Sequence, residues 1–240
     1  MAGYWDEVTT DAPKLFLKTD EASGNLTDSS GGSHTATVTG TPTYQVAGPA
    51  VGVPYGITIA SGAYFTVGDH ADLDLGNGPF SIEFWFKRGT DSDSGTILAK
   101  ADASTTPGYI VQMASTDFVR LEDGSTSSHL TQASAATLNN TTWHHVVFTR
   151  PSASNGKCYI DGTDVTNVAG AKTFSDNAND LLIGRRTVGG SSYAGVTIAA
   201  IAIYKSELSA GRVSAHYTAK DTLSGGGGGT VRRGLLLGVG

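Results

Sequence analysis

Apolar and polar residues alternate at every second position along several short stretches of this chain, as half-buried β-strands require. The cleanest stretch is residues 80–87, where Phe80, Ile82, Phe84 and Phe86 interleave with Ser81, Glu83, Trp85 and Lys87. Side chains alternate across a strand, so the four apolar residues point to a core and Glu83 and Trp85 to the opposite face. Residues 143–162, WHHVVFTRPSASNGKCYIDG, form the second organising stretch. Trp143, His145, Val147 and Thr149 share one face, while His144, Val146, Phe148 and Arg150 share the other, so both faces are at least partly covered. Residues 151–156 supply turn chemistry, residues 157–161 resume as a strand, and Asp161-Gly162 signals a second tight turn into Thr163-Asp164-Val165. The unit is predicted to be three consecutive antiparallel strands.

Similar patterns predict strands at residues 15–17, 35–39, 55–60, 63–67, 96–100, 109–113, 118–122, 180–184 and 196–204. The pair 55–60 and 63–67, split by Ser61-Gly62, is expected to be a hairpin. Residues 208–217 carry the one good helical pattern, with Ser209 as N-cap and Val213 and Tyr217 four apart, and this helix is expected to plug an end of the fold. Residues 1–14 form a polar opening. Short strands between Ser-, Asp- and Gly-rich turns predict an all-β fold of two packed antiparallel sheets with one short C-terminal helix. The expected domain spans residues 1–222, followed by a segment 223–240 with five consecutive glycines.

Composition supports one turn-rich globule: 240 residues with 32 glycines, 39% hydrophobic and 16% charged. The formal net charge of -6 argues against a nucleic-acid partner, which would require concentrated Lys and Arg. No stretch approaches the roughly 20 apolar residues of a membrane-spanning helix. Cys158 is the single cysteine, which excludes an intrachain disulfide and points to a small buried core residue. Met1 to Glu7 show neither the basic region nor the apolar region of a secretion signal.

The order of short motifs carries a resemblance. Trp143-His144-His145-Val146-Val147 and Tyr159-Ile160-Asp161-Gly162 follow Asp11-Ala12-Pro13, Glu21-Ala22-Ser23-Gly24, Asp28-Ser29-Ser30-Gly31 and Phe80-Ser81-Ile82-Glu83-Phe84-Trp85. Leu182-Ile183-Gly184, Ile203-Tyr204, Leu208-Ser209 and His216-Tyr217 come after them. In this order the chain resembles the laminin-G-like jelly-roll family of the concanavalin A-like lectin/glucanase group. The resemblance implies a two-sheet antiparallel jelly-roll sandwich and, commonly, one calcium ion held by loop carboxylates and carbonyls. One departure is Ala199-Ala200, where similar proteins commonly carry an acidic pair. A sandwich of this kind without signal peptide or disulfides suits a virion protein of a tailed phage, made in the host cytoplasm and released by lysis.

Catalytic chemistry finds little support in the residues. A retaining glycosidase requires two carboxylates about 5 Å apart. None of the five glutamates, Glu7, Glu21, Glu83, Glu122 and Glu207, stands in the Glu-x-Asp-x-x-Glu arrangement of the glucanases. No Gly-x-Ser-x-Gly elbow is present. His144 and His145 point to opposite faces and do not converge on one ion, and the other histidines lack ligand spacing.

The expected function is therefore non-enzymatic: a virion structural protein, either a minor tail or host-contact protein that binds cell-surface glycan or a capsid decoration knob. A lectin-fold glycan hydrolase is the third reading. For glycan, Tyr193, Asn139, Asn140 and Trp85 are the candidate aromatic and amide groups, though Trp85 also suits packing beneath a crossing loop. For calcium, Asp20, Glu21 and Asp28 form one candidate loop and Asp69, Asp72 and Asp74 another, with solvated turn aspartates as the alternative. Arg232, Arg233, Leu235, Leu236 and Leu237 form an apolar and basic tail. It is expected either to dock on another virion protein or a second copy of the chain, or to fold back on its own sandwich.

Overall fold

The computed structural model describes residues 2–60, 62–89, 95–101, 108–114, 118–123, 129–133, 138, 142–152, 155–170, 174–186 and 195–224. From the N-terminus come α1 (Tyr4–Thr10), β1 (Leu15–Leu17), β2 (Ala36–Thr39), β3 (Thr43–Ala50), β4 (Val53–Ile59) and β5 (Tyr64–Val67). A 3-10 turn at Ala71–Leu73 precedes β6 (Phe80–Arg88), β7 (Gly95–Lys100), β8 (Tyr109–Met113), β9 (Val119–Asp123) and β10 (His129–Ala133). Then follow β11 (His144–Arg150), β12 (Lys157–Ile160), β13 (Thr163–Asp164), β14 (Thr166–Ala169), β15 (Leu181–Ile183), β16 (Val196–Tyr204) and α2 (Ala210–Ala219).

One sheet runs β13-β12-β11-β6-β16-β4-β3, with β1 also paired to β16; the other runs β14-β10-β9-β8-β7-β15-β5-β2. Their facing sides enclose a core that includes Phe80, Ile82, Phe84, Phe86, Val146 and Phe148 from the first sheet. Phe65, Val67, Val111, Leu121, Leu181 and Ile183 meet them from the second. The alternation read from residues 80–87 is thus the register of β6 on the core.

The predicted three-strand unit forms as β11, β12 and β13, with Phe148 opposite Cys158 and Ile160 opposite Thr163. Asp161 and Gly162 both take positive φ, 52° and 79°. This is the geometry a two-residue hairpin of matching twist requires, and glycine adopts it without strain. The Asp161 side chain stabilises the turn from outside: Oδ1 accepts from the His145 N–H at 2.9 Å and Oδ2 stands 2.8 Å from His144 Nδ1. A bulge between Ala199 and Ala202 divides β16, so that Val196–Ile198 pairs with β4 and Ile201–Ile203 with β1.

Several expectations are corrected. Residues 55–60 and 63–67 do not form a hairpin: β4 belongs to the first sheet and β5 to the second. Ile57 and Ile59 of β4 bury against the same core as Phe65 and Val67 of β5, each from its own sheet. α2 is N-capped by Ser209 as predicted, its Oγ accepting from the Arg212 N–H at 3.3 Å. It does not plug an end, however. Val213 packs with Trp85, Val147 and Tyr204 on the outer face of the first sheet. The polar opening contains a second helix, α1, capped where Asp6 Oδ2 accepts from the Gly3 N–H at 3.0 Å. Strands β3, β10 and β14 were not anticipated. β3, TYQVAGPA, has no fully buried residue, so apolar periodicity could not mark it.

The described C-terminus returns to the N-terminal helix. Ser224 Oγ accepts from the Trp5 N–H at 3.0 Å, and a Cβ placed on Gly3 would stand 2.2 Å from Ser224 N. Gly3→Ala is expected to lower stability by about 1–3 kcal/mol through this backbone clash. Denaturant unfolding checks the value, and a variant as stable as the parent would show that residues 223–224 do not hold this position.

Candidate functional site

The richest cluster of titratable groups lies on the outer face of the first sheet, beneath both helices. Glu83, predicted to point away from the core, does so and is completely buried. Its Oε1 accepts from Tyr4 Oη at 2.8 Å and lies 2.8 Å from His145 Nε2; Oε2 accepts from Tyr204 Oη at 2.7 Å and lies 3.0 Å from His216 Nδ1. Those partners come from α1, β11, β16 and α2. On its far side His216 Nε2 stands 2.8 Å from Asp11, and Arg212 joins the helices by pairing with Asp11 at 2.9 Å and Glu7 at 2.7 Å.

Burial alone would raise the Glu83 carboxyl, but the nearby His216 charge and the hydrogen bonds from His145 and His216 hold it well below its ordinary value. Burial likewise opposes charge on His216, yet Glu83 and Asp11 raise its pKa above the ordinary 6.5. Tyr4 and Tyr204 are pushed up by burial and by the Glu83 charge, which keeps both hydroxyls as donors. A carboxylate, two histidines and two tyrosines are the materials of acid–base catalysis. With Glu83, His145 and His216 all at 0% exposure, no substrate reaches them.

Trp85, proposed for a sugar platform, belongs to this sealed layer. It is 1% exposed, with the Tyr217 ring stacked 5.9 Å away and Tyr4 meeting it edge-on at 6.1 Å. Its alternation predicted the outer face correctly, but the two helices cover that face. Tyr193, Asn139, Asn140, Arg232, Arg233, Leu235, Leu236 and Leu237 lie outside the described residues.

Accessible polar groups gather at a rim where the residue 14–34 segment meets residues 69–74. Here the predicted calcium ligands are not brought together, because Asp20, Glu21 and Asp28 do not form a convergent group of three among the described residues. Asp28 instead organises its own loop, accepting from the N–H groups of Phe16, Ser30 and His34 at 2.9, 2.8 and 3.0 Å. Burial raises its pKa, those donors outweigh it, and the net shift is downward. Glu21 Oε1 accepts from the Thr27 N–H at 2.7 Å. In the second acidic loop, Asp69 and Asp74 neutralise the buried Lys100, whose Nζ lies 2.7 and 2.8 Å from them and 2.8 Å from the Asn177 carbonyl. A pocket of about 280 Å³ opens beside these loops, lined by Pro13, Lys14, Ser30, Gly31, Gly32 and Asp72. It is the accessible counterpart of the sealed Glu83 cluster. Sequence reasoning missed this pocket, because Asp72 is distant in the chain from the other residues that line it.

Residues 60–214 match the family model of the concanavalin A-like lectin/glucanases superfamily, laminin G type. The chain belongs to this superfamily. No curated protein matches the sequence. Among solved structures, this laminin-G-type domain is similar to the binding domain of Paraclostridial Mosquitocidal Protein 1, with TM-score 0.69 and 14% identity over 87% of the chain and 52% of that protein. It is also similar to the binding domain of botulinum neurotoxin DC, solved in complex with rat synaptotagmin II, with TM-score 0.67 and 17% identity over 89% and 53%. The same toxin domain solved in complex with SialylT matches with TM-score 0.66 and 16% identity. The domain spans about half the length of these proteins. No helix among the described residues is long and apolar enough to cross a membrane.

The Glu83–His216 pair sets an expected pH profile for the lectin-type domain. A carboxyl held below its ordinary 4.5 contributes stability above that pH and loses it as pH falls through the folded value. An imidazole raised above 6.5 contributes fully below that pH and loses its contribution as pH rises through the folded value. The pair therefore stabilises most between about pH 4.5 and 6.5. Glu83→Ala, which removes the shared partner of two buried imidazoles and two tyrosine hydroxyls, is expected to lower stability by about 3–5 kcal/mol. His216→Gln is expected to flatten the alkaline side of a melting-temperature profile. An unchanged alkaline limb in His216→Gln would mean that another group controls it.

Proposed function

We propose that this domain is a non-enzymatic binding module that holds cell-surface glycan at the loop rim of its sandwich. In this reading it forms part of a minor tail or host-contact protein of a tailed-phage virion. The carrying observation is the division of polar groups in a lectin-superfamily fold: the acid–base cluster is sealed, while a polar pocket opens at the rim. Lys14, Ser30 and Asp72 offer charged and hydroxyl groups there, the chemistry that recognises sugar hydroxyls. Tyr193, Asn139 and Asn140, an aromatic ring and two amides by sequence, belong to the same proposal as further glycan-binding groups.

Binding domains of toxins with the same fold, among them one solved both with SialylT and with synaptotagmin II, support a surface-recognition role. The virion placement draws support from Cys158, which burial keeps as a thiol, so the fold needs no oxidising compartment. Within the same proposal, Arg232, Arg233, Leu235, Leu236 and Leu237 dock on a neighbouring virion protein or a second copy of the chain. Ser224, immediately before the glycine run, is fixed beside α1 and would give that tail a defined point of departure.

A glycan array probed with the intact protein tests the reading. Saturable signals are expected, falling about tenfold in Lys14→Glu through loss of one charge-assisted hydrogen bond, and also weakened in Tyr193→Ala, with both variants melting like the parent. A blank array, or variants that bind like the parent, would remove the rim glycan site. Under that outcome, incorporation of the chain into particles would favour the decoration reading. Sustained release of reducing ends from polysaccharide would replace the binding module with a hydrolase.

A further inference from the structure

We propose that His34, His70 and Asp72 form a binding site for one divalent transition-metal ion, with zinc as the member of that class the geometry fits best. Asp72 Oδ2 stands 3.5 Å from His34 Nε2 and 3.5 Å from His70 Nδ1. All three ligand atoms lie within 4.8 Å of one another. Zinc takes nitrogen and oxygen ligands at about 2.0–2.2 Å in a tetrahedron, which places neighbouring ligand atoms roughly 3.3–3.5 Å apart. Both measured edges have that length. The third closes by a small turn of His70, whose side chain is 52% exposed.

Simple histidine–carboxylate pairing does not explain the spacing. His144 with Asp161, His145 with Glu83 and His216 with Asp11 all close to 2.8 Å in this chain. The two contacts of Asp72 stop at 3.5 Å, beyond a good hydrogen bond. The His34 side chain is only 7% exposed, and its Nε2 is buried with no hydrogen-bond partner among the described residues. A buried polar atom facing a carboxylate at stand-off distance is what a metal site without its ion presents.

Hydrogen bonds within the two loops place these groups. Asp28 Oδ2 accepts from the His34 N–H at 3.0 Å, so the predicted calcium ligand instead positions a histidine. His70 caps the 3-10 turn that carries Asp72, its Nδ1 accepting from the Asp72 N–H at 3.1 Å. The Nδ1 lone pair is engaged by that N–H, and an ion bound at Nδ1 would displace it. The imidazole rings stand 4.4 Å apart. A Cβ at Gly32 would fall 2.6 Å from both Cδ2 and Nε2 of His34, so only glycine leaves that edge of the ring uncrowded. Two imidazoles make a poor calcium site, since calcium takes six to eight oxygens. Three protein ligands leave the fourth zinc position to water.

Calorimetric titration of metal-free protein with zinc chloride is the test, paired with cobalt(II) absorption to read coordination geometry. One equivalent per chain is expected, with the intense visible bands of a tetrahedral cobalt site and a melting temperature that rises with zinc but not with calcium. His70→Ala and Asp72→Asn, both at least partly exposed, are expected to weaken binding by at least about tenfold while melting normally without metal. Gly32→Ala is expected to weaken it as well. Absence of zinc binding would overturn the proposal. So would undiminished binding in both His70→Ala and Asp72→Asn, or equal stabilisation by calcium.

Discussion

The carboxylate of Glu83 lies on a central strand at zero exposure, where desolvation of an unpaired charge would cost several kcal/mol. Two tyrosine hydroxyls and two imidazoles compensate it, delivered by α1, β11, β16 and α2. None of these donors is replaceable by water once the layer has closed. The outer face of the first sheet therefore assembles with both helices in place or leaves a buried charge without partners. Arg212 and Asp11 extend the arrangement outward and hold α1 and α2 together.

This constraint also separates structure from function. The sealed cluster gathers more acid–base side chains than the rim pocket, yet its stability depends on excluding solvent and hence substrate. At the rim, backbone N–H groups satisfy Asp28 and two aspartates neutralise Lys100, which leaves rigid loops around an open pocket. Rigid loops on a packed sandwich are where binding chemistry is usually placed. The spacing of His34, His70 and Asp72 differs from every closed histidine–carboxylate pair in the Glu83 layer and the β12–β13 turn.

At 14–17% identity to toxin binding domains, what is shared is the fold. A fold of this kind constrains its rim little, because sheet register depends on apolar periodicity while loops tolerate almost any polar sequence.

Local periodicity was enough to determine β6, β11, the hairpin to β12, the Asp161-Gly162 turn and the α2 cap at Ser209, since each depends on neighbours a few residues away. It also determined that Glu83 and Trp85 turn from the core. What covers that face was decided only in three dimensions: α1 has seven residues, too few to persist alone, and holds because Tyr4 and Val8 bury against the sheet. The crossing from β4 to β5 was illegible because Ser61-Gly62 has the same turn chemistry whether a chain folds back within one sheet or passes to another. His34 and Asp72 are distant in sequence, and only the route of the chain around the sandwich brings them to 3.5 Å. Side-chain period is a property of the strand, whereas convergence of polar groups is a property of the path between strands, and only the folded chain contains that path.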